Sequence, residues 1–248
     1  MHSIDLSLLS ATGEKFWGTG MDSLRGISLF NSLTDSEIQQ LDERCIWRDY
    51  TAGEMIIDHE DDSHDVRFVM AGEVRVVARM SEGREVIFTD HGAGTYFGEL
   101  SALDGGTRSA NVSALVNTRL CIMPTSEFLR VASAYPNVAL DVMRKLTGIV
   151  RRLSDRLAEF TFLQAKHRIF AELLRTSRER NGHPEQRIIT PPPLQRDIAD
   201  RIASRREVVS REMKTLERDG IIEKTRGGLV ILDPQELRRR ASEGWTSG

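Results

Sequence analysis

The chain has 248 residues, 40% of them hydrophobic and 29% charged, with a formal net charge of −3. That balance is ordinary for one large or two modest globular domains, and it excludes a disordered chain. No apolar run approaches the roughly 18 residues of a membrane helix. A start that carries Asp5 and Glu14 without a long apolar core speaks against a secretory leader and against a membrane partner. Two cysteines, Cys45 and Cys121, are too few for a disulfide framework, a four-thiolate cluster or a zinc finger. They fit a reduced, cytoplasmic compartment and read as buried apolar fillers. The charge is uneven. Residues 166–248 hold 18 Lys and Arg against 13 Asp and Glu, a net of +5, and residues 1–165 carry −8. An acidic front and a basic back suggest two domains with different partners, the basic one a candidate for a phosphate backbone.

Residues 1–20 read as an irregular arm whose Trp17 can pack onto the neighbouring domain. Leu29–Leu41 predicts a short helix, with Thr34 and Glu37 set for a Thr-x-x-Glu capping box. From Arg48 to Thr125 short apolar runs recur at Glu54–Ile57, Val66–Met70, Val74–Ala78, Glu85–Thr89, Ala110–Val116 and Thr118–Met123. Glycines separate them, including Gly53, Gly72, Gly83, Gly94 and the Gly105–Gly106 pair. This pattern predicts an antiparallel β-sandwich or roll. The stretch Asp58–Asp65, rich in acids and histidine, lies between two runs and reads as a solvated turn rather than a metal site.

A helical pattern comes next. Ala139, Leu146, Leu153 and Phe160 are seven apart, and Val142 and Ile149 interleave with them until Arg156 breaks the second row. Such a seam, polar on its other faces, predicts pairing with a second copy of the chain. In the tail, Arg168–Ser177 reads as a helix, Gln186–Thr190 as a strand, and Leu194–Ile202 and Ser204–Asp219 as two helices. Ile221–Lys224 and Leu229–Leu232 then form two short strands about a Thr225–Gly228 turn, and Asp233-Pro234 opens a last helix.

Two constellations carry chemistry. In Phe97–Ala110, Gly98 lets backbone approach a ligand, and the turn after it can aim free N–H groups at an anion. Arg108 offers a two-pronged donor to the same anion, and Glu99 an acceptor for a hydroxyl. A cyclic nucleotide has both a phosphate and a sugar hydroxyl. In the bland alternative Glu99 and Arg108 merely pair with each other. The second constellation is the helix pair at 194–218, whose lengths suit a DNA-reading helix-turn-helix. Ile198, Ala199, Ile202, Val208, Val209, Met213 and Leu216 face inward, leaving Arg205, Arg206, Glu207, Ser210, Arg211 and Lys214 outside. Arginine grips guanine O6 and N7, and glutamate accepts from cytosine N4. The bland reading makes Glu207 the partner of Ser204 in a capping box.

Read as whole strings, these segments are specific. Phe97-Gly98-Glu99-Leu100 followed by Arg108-Ser109-Ala110 resembles the phosphate-binding cassette of cyclic-nucleotide-binding domains. RREVVSREMKTLERDGII resembles the winged helix-turn-helix of the CRP/FNR family of bacterial regulators. Cassette, heptad helix and helix-turn-helix occur in that family's order over about residues 22–237. The resemblance implies an α+β protein: an arm at 1–20, a cyclic-nucleotide-binding antiparallel β-roll of jelly-roll type at 21–136, a long dimerisation helix at 137–165, and a winged helix-turn-helix at 166–248. It implies that Glu99 holds the ribose 2′-hydroxyl and Arg108 the cyclic phosphate, with Gly98, Leu100, Ser101 and Ser109 completing the cassette. Val76, Phe88 and Thr89 fall on strands that line the family's pocket. Arg206, Glu207 and Arg211 match base readers of TGTGA-like half-sites, while Arg196, Arg205 and Lys214 suit phosphates and Ser210 lies among them. The purine end departs from the pattern. Leu153 and Ser154 stand where cAMP receptors place a Thr-Ser pair, and Ile149 stands where some members place arginine.

The function implied is a cytoplasmic, homodimeric transcription regulator, not an enzyme. Its effector is cAMP, with cGMP open, its DNA target an inverted repeat in duplex DNA, and RNA polymerase a partner. The alternatives are a regulator of the same fold that ignores cyclic nucleotides or senses another effector, and a nucleotide sensor for a partner enzyme.

Overall fold

The computed structural model describes residues 22–79 and 85–246. The arm at 1–20 with Trp17, and the turn at Gly83, lie outside the described residues. The described chain falls into two units. One holds the residues up to Val76 together with Thr89–Val142, and the other holds Val77–Phe88 with the chain from Met143 onward.

Short strands dominate the chain before residue 136, most of them in the first unit, with Val77–Arg79 and Glu85–Phe88 counted in the second. After a 3-10 turn at Ser28–Phe30 come α1 (Asp35–Asp42), β1 (Ile46–Tyr50), β2 (Met55–Ile57), β3 (Val66–Ala71), β4 (Glu73–Arg79), β5 (Glu85–Gly92) and β6 (Tyr96–Phe97). Then come α2 (Glu99–Asp104), β7 (Asn111–Ala114), β8 (Thr118–Met123) and α3 (Thr125–Ala134). The strands form two four-stranded sheets, ordered β1-β8-β3-β6 and β2-β7-β4-β5. Tyr50, Ile57, Val69, Val74, Phe97, Val112 and Leu120 from both sheets form one buried cluster. β3 is buried on both faces. Its Phe68 lies 5.2 Å from Phe30 and 5.5 Å from Tyr96, and Tyr96 is 6.5 Å from Phe128 of α3. Full burial of each such ring is worth about 1.5–3 kcal/mol, so this row ties helical turns to the outer face of the first sheet. The β3–β4 turn needs Gly72, whose φ is +85°, because a Cβ there would stand 2.4 Å from the Asn117 carbonyl.

The expected helix at Leu29–Leu41 divides in two. Thr34 is extended at φ −71°, ψ 162° and caps α1 with the reciprocal Glu37 bond of a capping box. That box sets the helix start at Asp35 and leaves the preceding residues as the 3-10 turn. Cys121 is fully buried, whereas Cys45 is only half-buried, so the filler reading holds for the first and not fully for the second.

α4 (Pro136–Phe162) takes one residue out of the expected seam. Val142 is buried in the single chain, so it is not available to face a second one. The exposed stripe runs through Met143, Val150, Leu153, Leu157 and Phe160, with Leu157 68% exposed. Ile149 of the expected second row is half-buried, as is first-row Leu146, and the residues four beyond the first-row positions, Met143, Val150 and Leu157, are the exposed ones. These continue past Arg156, which sits on another face.

In the second unit, α5 (Ala165–Thr176) is followed by β9 (Arg178–Arg180), β10 (His183–Ile189), α6 (Gln195–Arg201), α7 (Arg206–Arg218), β11 (Ile222–Lys224), β12 (Leu229–Ile231) and α8 (Pro234–Thr246). The strands are ordered β11-β12-β10-β9. Ile169, Phe170 and Leu173 of α5 share a core with Ile198, Ile202, Val209, Met213, Leu216, Leu229, Ile231 and Leu237. Val208 is partly buried at its margin. Asp233 caps α8, its carboxylate accepting from the N–H groups of Gln235 and Glu236 at 3.1 and 2.9 Å.

Candidate functional site

The first site is organised around Arg108. Tyr96–Phe97 leads into Gly98, which adopts φ +87° and starts α2. No other residue fits: a Cβ at Gly98 would stand 2.6 Å from Arg108 Nη1 and 2.9 Å from the Asp65 carbonyl oxygen. The Arg108 side chain keeps 3% of its surface. Its Nε and Nη2 donate to Ser63 Oγ, both at 3.1 Å. Nη1 donates to Ser101 Oγ at 2.8 Å and to the Gly98 carbonyl at 3.2 Å. Nη2 also donates to the Asp65 carbonyl at 2.9 Å and lies 3.3 Å from the Asp65 carboxylate. Burial pulls the guanidinium below its ordinary value, and the Asp65 charge pushes the other way. Arg108 thus remains a cation inside a cradle of oxygens.

Glu99 is buried at the first position of α2, and Ser101, also buried, donates to the Gly98 carbonyl. Leu100 and Ser109 are exposed on either side of these groups. The ion-pair partner of Arg108 is Asp65 rather than Glu99, so the bland pairing of the two cassette charges is not the arrangement found. Val76 is half-buried against the sheet cluster, and Thr89 donates to the Asp90 carbonyl. Phe88, 40% exposed, belongs to the second unit, as do Leu153 and Ser154, which are exposed on α4.

Ser63 and Asp65 hold Arg108, and sequence reasoning misses both. They end the stretch Asp58–Asp65, expected as a solvated turn. Instead the loop folds onto the cassette: besides the Arg108 bonds, His64 Nε2 is 3.2 Å from the Gly105 carbonyl. Asp65 also pairs with Arg67 at 2.6 Å. The available signal is an acid just before a strand and a buried arginine elsewhere with an excess of donors. Among the described residues, no group of three or more His, Cys, Asp or Glu side chains is placed to hold a metal ion.

The second site is the α6–α7 pair. The turn between them passes through Ala203 at φ +49°, an uncommon conformation for a residue with a Cβ. α7 starts at Arg206 with Arg205 as its N-cap and no side-chain cap, so the Ser204–Glu207 box does not form. Val209, Met213 and Leu216 turn inward, and Arg206, Glu207, Ser210, Arg211 and Lys214 line an open groove of about 470 Å³. Gln195, from the first turn of α6, completes that groove and is not singled out by the sequence pattern. Arg205 is exposed just ahead of the groove residues in the chain, and Arg196 is exposed and 3.5 Å from Asp200. Three cations at the start and along one face of a helix whose other face is core suit a polyanion with readable base edges.

Comparison with known proteins accords with this division. Residues 47–135 match the family model of the cyclic nucleotide-binding domain, and residues 167–240 match that of the Crp-like helix-turn-helix domain. A CRP-like cAMP-activated global transcriptional regulator of Mycobacterium tuberculosis is 25% identical over 215 residues, 86% of this chain and 96% of that protein. The cyclic AMP receptor protein of Thermus thermophilus is 28% identical over 203 residues, covering 80% of this chain and 89% of that one. Among solved structures, a CooA variant from Carboxydothermus hydrogenoformans shares the fold with a TM-score of 0.73 at 19% identity, over 86% of this chain and 94% of that one. Fold and domain order together define a DNA-binding transcription regulator that carries a cyclic-nucleotide-binding domain. The chain belongs to the CRP/FNR family. That family is one of transcription regulators, and the reading as a regulator rather than an enzyme stands on it.

Proposed function

We propose that the protein is a homodimeric regulator switched by cAMP, with cGMP as a second ligand, that reads an inverted repeat of TGTGA-like half-sites. One observation carries this reading: the Arg108 guanidinium is held in a closed cradle at the start of α2, where Gly98 keeps the backbone near and buried Glu99 stands beside it. A cation and a carboxylate so placed suit a ligand with one anionic diester and one neutral hydroxyl. The α4 stripe of Met143, Val150, Leu153, Leu157 and Phe160 supports pairing of two copies. Two copies of α7 one helical turn apart, about 34 Å, would meet successive major grooves. Arg206, Glu207 and Arg211 are assigned to base edges. Arg196, Arg205 and Lys214 are assigned to phosphates, Ser210 to the groove floor. A cytoplasmic location and contact with RNA polymerase follow from the same reading. No helix of the described residues is long and apolar enough to cross a membrane.

The switch has an energetic requirement. Driving a 1:99 population to 99:1 takes about 5.5 kcal/mol of differential binding. Charge-assisted hydrogen bonds of about 1.5–3 kcal/mol each at two sites reach that figure when they differ between states. A second reading, a regulator of this fold with another effector, is favoured by one observation: Leu153 is apolar and exposed where a purine-contacting hydroxyl is expected.

Calorimetric titration of the full chain with cAMP and with cGMP, paired with DNA-shift assays, separates the two readings. The expected result is saturable binding that tightens the DNA complex, both lost in Arg108→Ala. A parent protein that binds neither nucleotide, or an Arg108→Ala variant whose DNA affinity equals that of the parent measured with nucleotide, supports the second reading.

A further inference from the structure

Arg156 is turned away from the exposed stripe of α4 and retains 14% of its side-chain surface. Its Nη1 carries two N–H groups, and they reach two carbonyls from distant parts of the chain: Ile87 at 3.1 Å and Arg201 at 3.2 Å. One acceptor sits on an edge strand and the other at a helix end. Ile87 lies on β5, the edge strand of its sheet. Arg201 is the last residue of α6, and the final carbonyls of a helix have no intrahelical donor. A cation there also complements the helix dipole.

The other side of the guanidinium faces charge. Nη2 is 3.7 Å from Glu172 Oε2, a carboxylate with 2% of its side chain exposed. Glu172 also pairs with Arg175 and lies 3.9 Å from Arg201 Nε, and Arg175 pairs in turn with Glu159 of α4. Burial pulls the Arg156 guanidinium below its ordinary value, and the Glu172 charge opposes this. A buried arginine held by one carboxylate and two backbone oxygens is costly to disconnect, because breaking it leaves unpaired polar groups on both sides.

We propose that Arg156 is a positioning residue that locks the Glu85–Phe88 end of β5 to the C-terminal end of α6, so that the two open and close together and a ligand acting on β5 is felt at the DNA-reading pair. The signal in this scheme rests on the nucleotide reading above, through Phe88 and Thr89 on the same strand. The lock itself does not.

Hydrogen exchange by mass spectrometry on the full, ligand-free chain tests the lock, and DNA affinity with and without cAMP tests the signal. In Arg156→Gln, exchange is expected to rise at least tenfold both at 85–88 and at 199–204, with the cassette at 98–108 unchanged. The cAMP-dependent gain in DNA affinity is expected to fall at least tenfold while the Kd for cAMP stays within threefold. Arg156→Lys keeps the charge opposite Glu172 without the planar fork. It serves as the test protein if the glutamine variant does not fold, and is expected to loosen both segments. Exchange in either variant that matches the parent at one segment, or an undiminished cAMP-dependent gain, overturns the proposal. A parent protein whose DNA affinity ignores cAMP defeats the nucleotide reading instead, and the exchange measurement still decides the lock.

Discussion

Asp65 and Arg108 meet twice, the Asp65 carbonyl accepting from Nη2 at 2.9 Å and its carboxylate lying 3.3 Å from the same nitrogen. The carboxylate balances a cation with almost no access to water. Asp65→Asn keeps the shape and removes the charge. Loss of one partner of a buried ion pair costs about 3–5 kcal/mol, and the carbonyl bond that remains puts the expected loss at the lower end. A cyclic nucleotide would restore a counter-charge, so its stabilising effect in thermal unfolding is expected to be larger in this variant than in the parent. A smaller effect would show that Asp65 orients Arg108 rather than balancing it.

The Ala203 turn stores strain. A left-handed residue with a Cβ costs roughly 1–2 kcal/mol over glycine. Ala203→Gly is therefore expected to stabilise the second unit by about 1 kcal/mol, less than the full strain because glycine gains freedom in the unfolded chain. Denaturant unfolding followed at Trp245 measures it, and a destabilised variant would contradict the assignment of strain.

α4 carries two kinds of apolar residue, the buried Val142 and the exposed Leu157 proposed to meet a second copy. Leu157→Lys should leave the unfolding temperature at low protein concentration nearly unchanged while shifting sedimentation toward the monomer. Val142→Ala should do the reverse, destabilising the fold by about 2 kcal/mol at unchanged oligomeric state. A Leu157→Lys protein that sediments as the parent does would remove this stripe as the interface.

The groove on α7 makes separate demands on base readers and phosphate contacts. Arg206→Ala and Arg211→Ala are each expected to cost about 1–3 kcal/mol of binding to the preferred site and to relax preference at one position. Lys214→Ala should weaken all sequences about equally and reduce the salt slope of binding by about 1. Competition titrations at several salt concentrations distinguish the two patterns.

α8 has a pH signature. Hydrogen bonds from Arg239 and Arg240 pull the Glu236 carboxyl down to about 2. A carboxylate with a depressed folded value contributes stability above its unfolded value, near 4.3, and loses it as pH falls toward 2. The group is only half-buried, at the surface of α8, so the effect is small and screened by salt. Glu236→Gln should lower the unfolding temperature slightly at pH 7, and the difference should vanish near pH 2.

Much of this molecule is legible as pattern. The capping box at Thr34 and Glu37, the strands between Met55 and Met123 apart from the two-residue β6, the turn after Gly98 and the helix pair at 195–218 all follow from local rules of period and capping. What escapes depends on the third dimension. β1 lies at the edge of its sheet with Ile46 exposed, so its alternation is faint. α3 buries only Phe128 and Val131, too few to mark a helix. The seam is ambiguous in sequence because spacings of three and four both fit a heptad. The charge at Arg156 and the apolar Leu157 beside it are the clue that favours four. Asp65 is invisible as a partner of Arg108, since 43 residues separate them and only the folding of the loop joins them.

Each of the five N–H groups of Arg108 already faces a protein oxygen. An arriving anion cannot simply add itself to a waiting charge; it must displace incumbents that are already well aligned. Ions without paired oxygens, chloride among them, gain little by such a substitution. Under the proposed nucleotide reading, guests are filtered by the shape of what they put in place of Ser63 and Ser101, and general affinity for negative charge is suppressed before the rest of the ligand makes contact.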